Sequence, residues 1–178
     1  THRRSSAASD VYKRQEIEAM KSVKYDFGLD NLQLMVPFCR TPEEGAMVKE
    51  LLDDNGIGPS TGTDLFVMVE LPSNVIEAER FIQMMELSGG SIGSNDLVQT
   101  VYAVSRDDLE GYQNPVDARS PAVKSMIRQI VNKFNARGLE IGICGQAPSD
   151  FPEEFPPFLI DCGITVSYTH LRAHETTP

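Results

Sequence analysis

The chain has 178 residues, 40% of them apolar and 24% charged, which is ordinary for one soluble domain with a real core. Its formal net charge of −10 argues against a nucleic-acid groove, and no apolar run approaches the roughly 18 residues that a membrane-spanning helix needs. Cys39, Cys144 and Cys162 are too widely spaced for a disulfide framework or a zinc site, and suit a reducing cytoplasm.

Neither end has a helix or strand period. The stretch DVYKRQ (residues 10–15) can be written GAT GTG TAT AAG AGA CAG. The reverse complement, read two bases in, encodes VSYTH, which stands at Val166 to His170. Both ends therefore read as one inverted DNA element, and SSAASDVYKRQ and VSYTHLRAHET look like translated sequencing adapters. The expectation is an insert of residues 16–165 between adapter-like tails at 1–15 and 166–178. His2, His170 and His174 then fall outside it, so the insert has no histidine for a triad, a zinc site or a phosphocarrier. It keeps 11 basic and 24 acidic residues, net −13.

Within the insert, short apolar runs alternate with amphipathic stretches. LQLMVPF (Leu32 to Phe38) predicts a strand that Pro37 ends. A helix follows, with Thr41 as N-cap, Pro42 at its first position, Glu44 closing a capping box and Gly56 as its stop. LFVMVE (Leu65 to Glu70) predicts a second strand. NVIEAERFIQMMEL predicts one helix whose buried stripe is Val75, Ile76, Phe81, Ile82 and Met85. GGSIG predicts a short strand running into the helical SNDLVQTVYAV, and an excursion spans Ser105 to Ser120. The helix PAVKSMIRQIVNKFNARG then feeds the strand EIGICG. In the segment Phe151 to Gly163, Pro156 and Pro157 put the helix start near Pro157. A fifth strand begins near Ile164.

This alternation predicts parallel βα units: an α/β fold that is either part of a (β/α)8 TIM barrel or an open doubly wound sheet. Neither GxGxxG after a strand nor GxxxxGK[ST] occurs, so no nucleotide-binding fingerprint supports the open sheet. In a parallel barrel, chemistry gathers at the carboxyl ends of the strands. Those ends carry Glu70, the run Gly93, Ser94, Asn95, Asp96, and Cys144. Two carboxylates on neighbouring strand ends can hold Mg²⁺, which takes oxygen ligands and commonly needs only one or two carboxylates from the protein. Gly93 would let backbone approach a ligand, and Asn95 could donate to a substrate oxygen. Taken singly, Glu70 could be solvated, Asp96 could cap the next helix and Cys144 could be packed core.

The stretches MVELPSN, SIGSNDLVQ and GICGQAPSD, with LQLMVPFCRTPEE before them, resemble the C-terminal barrel of the phosphoenolpyruvate-utilising enzymes. Three ordered motifs carry the resemblance, which covers nearly all of residues 16–165. Ser94 and the continuation GQAPSD point to the branch of pyruvate, water dikinases; the pyruvate, phosphate dikinases and the first enzymes of the sugar phosphotransferase system more usually have threonine and glutamate there. Val98 departs from the family, standing where threonine is common. The resemblance implies about strands 4–7 of the barrel with the start of strand 8. It implies Mg²⁺ on Glu70 and Asp96, substrate contacts from Glu70, Gly93, Ser94, Asn95 and Asp96, and Cys144 as acid/base at the methyl carbon of pyruvate. A thiol of ordinary pKa near 8.5 would be tuned toward neutrality for that work. It further implies an ATP-dependent parent, cytoplasmic and homodimeric, whose phosphohistidine and ATP-binding domains and substrate-binding arginines lie elsewhere. Readings of other classes are a Mg²⁺-dependent barrel carbon–carbon lyase and, for the isolated chain, a non-catalytic half-barrel.

Overall fold

The computed structural model describes residues 14–105 and 116–168. The three histidines, most of both terminal segments and part of the Ser105 to Ser120 excursion lie outside the described residues. A helix over residues 14–21 (α1), continued by a π-helical turn, Ser22–Asp26, precedes the first strand. Five strands follow: β1 Gln33–Val36, β2 Asp64–Val69, β3 Gly89–Gly93, β4 Glu140–Cys144 and β5 Val166–Tyr168. They form one sheet in the order β1-β2-β3-β4-β5, every neighbouring pair parallel. A doubly wound sheet reverses direction at a switch point, whereas each crossover here steps one strand the same way. The sheet is a partial (β/α)8 barrel. Its fifth strand starts at Val166, the first residue of the adapter-like segment.

The helices cover one face. Helix α2 (Pro42–Asp54) begins as its residues dictate: Pro42 takes the first turn and Thr41 Oγ1 accepts the Glu44 N–H at 3.1 Å. Glu44 departs slightly from a capping box, because its Oε2 accepts from Arg40 N, one residue before the cap, at 2.8 Å. Gly56, with φ +75°, ends the run as expected.

The single helix expected over NVIEAERFIQMMEL is two: α3 (Pro72–Ile76) and α4 (Ala78–Met85), which break at Glu77. Lys133 Nζ donates to the carbonyls of Val75 (2.6 Å) and Ile76 (3.1 Å), so an ammonium satisfies the end of α3 in place of a further helical turn. The break rotates Ile76 outward to 68% exposure, while Val75, Phe81, Ile82 and Met85 are buried as expected.

Helix α5 (Ser94–Tyr102) leaves β3 with no intervening loop, and α6 (Pro121–Ala136) buries Val123, Ile127, Ile130, Val131 and Phe134 as one stripe. A short α7 (Ala147–Asp150) follows β4. Helix α8 (Phe155–Cys162) starts two residues earlier than Pro157. Both prolines sit in its first turn, where N–H groups have no intrahelical partner to lose.

Cys39 closes the β1–α2 loop, 2% exposed, and its Sγ donates to Thr41 O at 3.5 Å. Burial, helped by the charge of Glu44, pushes the thiol up to about 11 from 9.0. A folded-state pKa above the unfolded one stabilises below the unfolded value and is lost as pH rises through the folded one. Denaturant midpoints should therefore fall between pH 9 and about 11, and more steeply for the wild type than for Cys39→Ala. Parallel curves for the two would remove Cys39 as the source.

Candidate active site

Strand register builds the site. Val69 pairs with Ile92 and Gly93 with Cys144, so Glu70, one residue past Val69, shares a lateral row with Gly93 and Cys144. Side chains alternate faces along a strand, which places all three on the face away from the helices with Phe66, Met68 and Ser91. Asp96 joins them from the first turn of α5. Glu70, Asp96 and Cys144, expected at three successive strand ends, are thus brought together.

Glu70 is 5% exposed, and its carboxylate accepts the Phe38 N–H on Oε2 at 2.9 Å. Its other oxygen lies across Gly93, where a Cβ would meet Glu70 Cγ at 2.7 Å and Oε1 at 2.9 Å. Desolvation and the charge of Asp96 raise its pKa, and only the Phe38 hydrogen bond opposes them. Among the described residues, no basic side chain contributes. A buried carboxylate pushed up by a second carboxylate is a place where a cation would be stabilised. Among the described residues no group of three or more His, Cys, Asp or Glu is placed to hold a metal ion. The Glu70 and Asp96 oxygens fit the demand of Mg²⁺, which keeps several positions for water and substrate.

Cys144 is partly buried, and its Sγ lies 3.5 Å from Ile92 O. Burial raises its pKa, the Ser91 hydroxyl hydrogen-bonds the thiol and opposes the rise, and the charges of Glu70 and Asp96 add to it. This runs opposite to the expected tuning toward neutrality: burial and two carboxylates push the thiol pKa up from its ordinary value. Ser94 is fully buried, its hydroxyl donating to Cys144 O at 3.0 Å, so it ties β3 to β4 at the row itself. Asn95 is half-buried and lines a cleft of about 230 Å³ together with Gln146. Asp96 is not the cap of α5, because it stands third in the helix, and its Oδ1 accepts from Gln99 Nε2 at 3.3 Å.

Three contributors were missed from sequence: the Phe38 N–H, Ser91 and the buried Asn74. Ser91 had a readable signal, since it lies two residues before Gly93 and so shares its face. The Phe38 N–H had none, because it depends on a loop conformation.

A family model described as PEP-utilising enzyme, PEP-binding domain, matches residues 2–172. The phosphoenolpyruvate synthase of Aquifex aeolicus (strain VF5) is 44% identical over 160 residues, covering 88% of this chain and 18% of that protein. The phosphoenolpyruvate synthase of Synechocystis sp. is 43% identical over 150 residues, covering 84% of this chain and 18% of that protein. The chain belongs to the PEP-utilising enzymes and corresponds to their PEP-binding domain. It spans 18% of the length of these relatives.

Among solved structures, RipC from Yersinia pestis is similar with a TM-score of 0.60 at 13% identity, over 88% of this chain and 65% of that one. An HpcH/HpaI aldolase/citrate lyase family protein from Burkholderia cenocepacia J2315 is similar with a TM-score of 0.56 at 15% identity, over 85% and 62%. At such identities the likeness is one of fold.

Proposed function

We propose that this chain is the pyruvate-binding part of an ATP-dependent phosphotransferase that makes phosphoenolpyruvate from pyruvate. The observation that carries the reading is the row of Glu70, Gly93 and Cys144 at adjacent strand ends, with Asp96 beside it. Relatives named phosphoenolpyruvate synthase, or probable phosphoenolpyruvate synthase, at 36% to 44% identity support the substrate class. The likeness to aldolase and lyase structures puts no site residue behind a carbon–carbon lyase.

Glu70 and Asp96 would hold Mg²⁺, which when bound would stabilise negative charge developing on pyruvate and offset the carboxylate field on the thiol. Gly93 leaves the space that substrate and the Glu70 carboxylate share. Ser94 fixes the strand end that carries the thiol, and Asn95 offers its amide to a substrate oxygen. Cys144 works at the methyl carbon. As a thiol it gives its proton to the enolate carbon and becomes thiolate; as thiolate it removes that proton and regenerates the enolate. The enolate oxygen then takes a phosphoryl group from a phosphohistidine on another domain of a cytoplasmic parent, which ATP recharges. Alone, the chain binds pyruvate without completing the cycle.

The test is the full-length parent with pyruvate, ATP and Mg²⁺. Phosphoenolpyruvate should form, Glu70→Gln and Asp96→Asn should each lower turnover about 100-fold or more, and the isolated chain should make none. An intact parent that forms no phosphoenolpyruvate, or a Glu70→Gln enzyme with full turnover, would contradict the reading.

A further inference from the structure

We propose that Asn74 is a positioning residue whose carboxamide ties two loops together and so fixes which oxygen of Glu70 stays free at the strand ends. Asn74 is 1% exposed. Its Oδ1 accepts from the N–H of Glu70 (3.1 Å) and of Leu71 (3.0 Å), and its Nδ2 donates to Cys39 O at 2.7 Å. The first two bonds shape the turn from β2 into α3. The third reaches across to the β1–α2 loop, 35 residues earlier.

Cys39 follows Phe38, whose φ of +49° is left-handed for a residue with a bulky side chain. Such a conformation is strained and persists only where its surroundings hold it. The Asn74 bond to Cys39 O holds it from the next residue. With Phe38 so placed, its N–H occupies Glu70 Oε2 and leaves Oε1 over Gly93. Asn74 therefore grips Glu70 twice, directly at its main chain and through Cys39 and Phe38 at its carboxylate. The place requires one acceptor for two N–H groups and one donor, which a carboxamide supplies and a carboxylate does not. A residue that served only the α3 turn would have no need of the donor.

The functional consequence rests on the reading of Glu70 as a metal ligand, so the test has two arms on the 178-residue chain. The first is amide hydrogen exchange followed by NMR. In Asn74→Asp the turn bonds can persist and the bond to Cys39 O cannot. Phe38 should lose at least about tenfold in protection, while Glu70, Leu71 and the amides inside β2 keep theirs. In Asn74→Ala, Phe38, Glu70 and Leu71 should all lose protection and the β2 amides should not. In the unmodified chain, Phe38 N–H and Asn74 Nδ2–H should exchange through one shared opening. Unchanged Phe38 protection in the variants, a parallel loss throughout β2, or independent openings in the unmodified chain would each overturn the proposal.

The second arm is Mn²⁺ binding read by electron paramagnetic resonance, with Glu70→Gln as reference. Asn74→Asp and Asn74→Ala should weaken it about 10- to 100-fold, the range for a partner that orients a ligand. Unchanged Mn²⁺ binding despite a freed Phe38 would overturn the positioning role. A chain that binds no Mn²⁺ while Phe38 protection follows Asn74 supports the tie and overturns the metal reading of Glu70.

Discussion

Gly93→Ala should lower turnover of the parent enzyme about 100-fold while leaving the fold nearly as stable as before. The backbone at Gly93, φ −81° and ψ 85°, lies outside the left-handed region, so alanine brings no conformational strain of that kind. The cost falls on space. A Cβ there would sit 2.7 Å from Glu70 Cγ, 2.9 Å from Oε1 and 3.2 Å from Met68 Cε. All three are atoms of side chains that can swing away. Strand pairing survives and the Glu70 carboxylate does not keep its place, losing the Phe38 N–H and its approach to Asp96. A misplacement of about 1 Å at a reacting site can cost about 100-fold in rate.

Gly89→Ala is the contrast within the same strand. Its Cβ would meet the Glu140 carbonyl oxygen at 2.7 Å and the Phe66 ring at 2.4 Å. Backbone cannot swing away, so this variant should lose thermal stability first and activity only through unfolding. Turnover and melting temperature of the two variants separate the effects. A Gly93→Ala enzyme with full turnover would show that the space over Gly93 is not needed.

The strand and helix order was legible because each element carried its own local signal: Thr41 and Pro42 before α2, Gly56 after it, and the stripe of α6 from Val123 to Phe134. What the sequence hid came from distant residues. Nothing near Glu77 announces a break, because the ammonium that closes α3 comes from Lys133, more than fifty residues on. The early start of α8 was obscured by reading Pro156 and Pro157 as breakers, when the first turn tolerates both.

At the site, the positions of Glu70, Gly93 and Cys144 followed from where their strands end. Their shared face follows from register, which no single strand encodes. The hydrogen bond on the Glu70 carboxylate, and the part of the Asn74 hold that runs through Cys39, depend on the loop between β1 and α2, so neither Glu70 nor Asn74 reads locally as more than a polar residue beside a strand. The direction of the Cys144 shift was missed for the same reason, since it combines burial with the fields of two carboxylates from other elements.

Cys144→Ala should remove proton exchange at the methyl group of pyruvate by a factor of about 100 to 10,000, the range for losing a positioned acid/base. Methyl exchange needs neither ATP nor the phosphoryl donor, so it isolates the step assigned to this chain. Pyruvate binding should be largely kept, because the substrate contacts proposed above fall to Glu70, Asp96 and Asn95, not to the thiol. Cys144→Ser should fare little better, since a hydroxyl there ionises far less readily than a thiol. The most direct measurement is deuterium incorporation into the pyruvate methyl group by the full-length parent in heavy water with Mg²⁺, followed by NMR. Rapid incorporation by the wild type and its collapse in Cys144→Ala is the predicted result; equal incorporation by both would contradict the proton-carrying role of Cys144 and with it the assigned site.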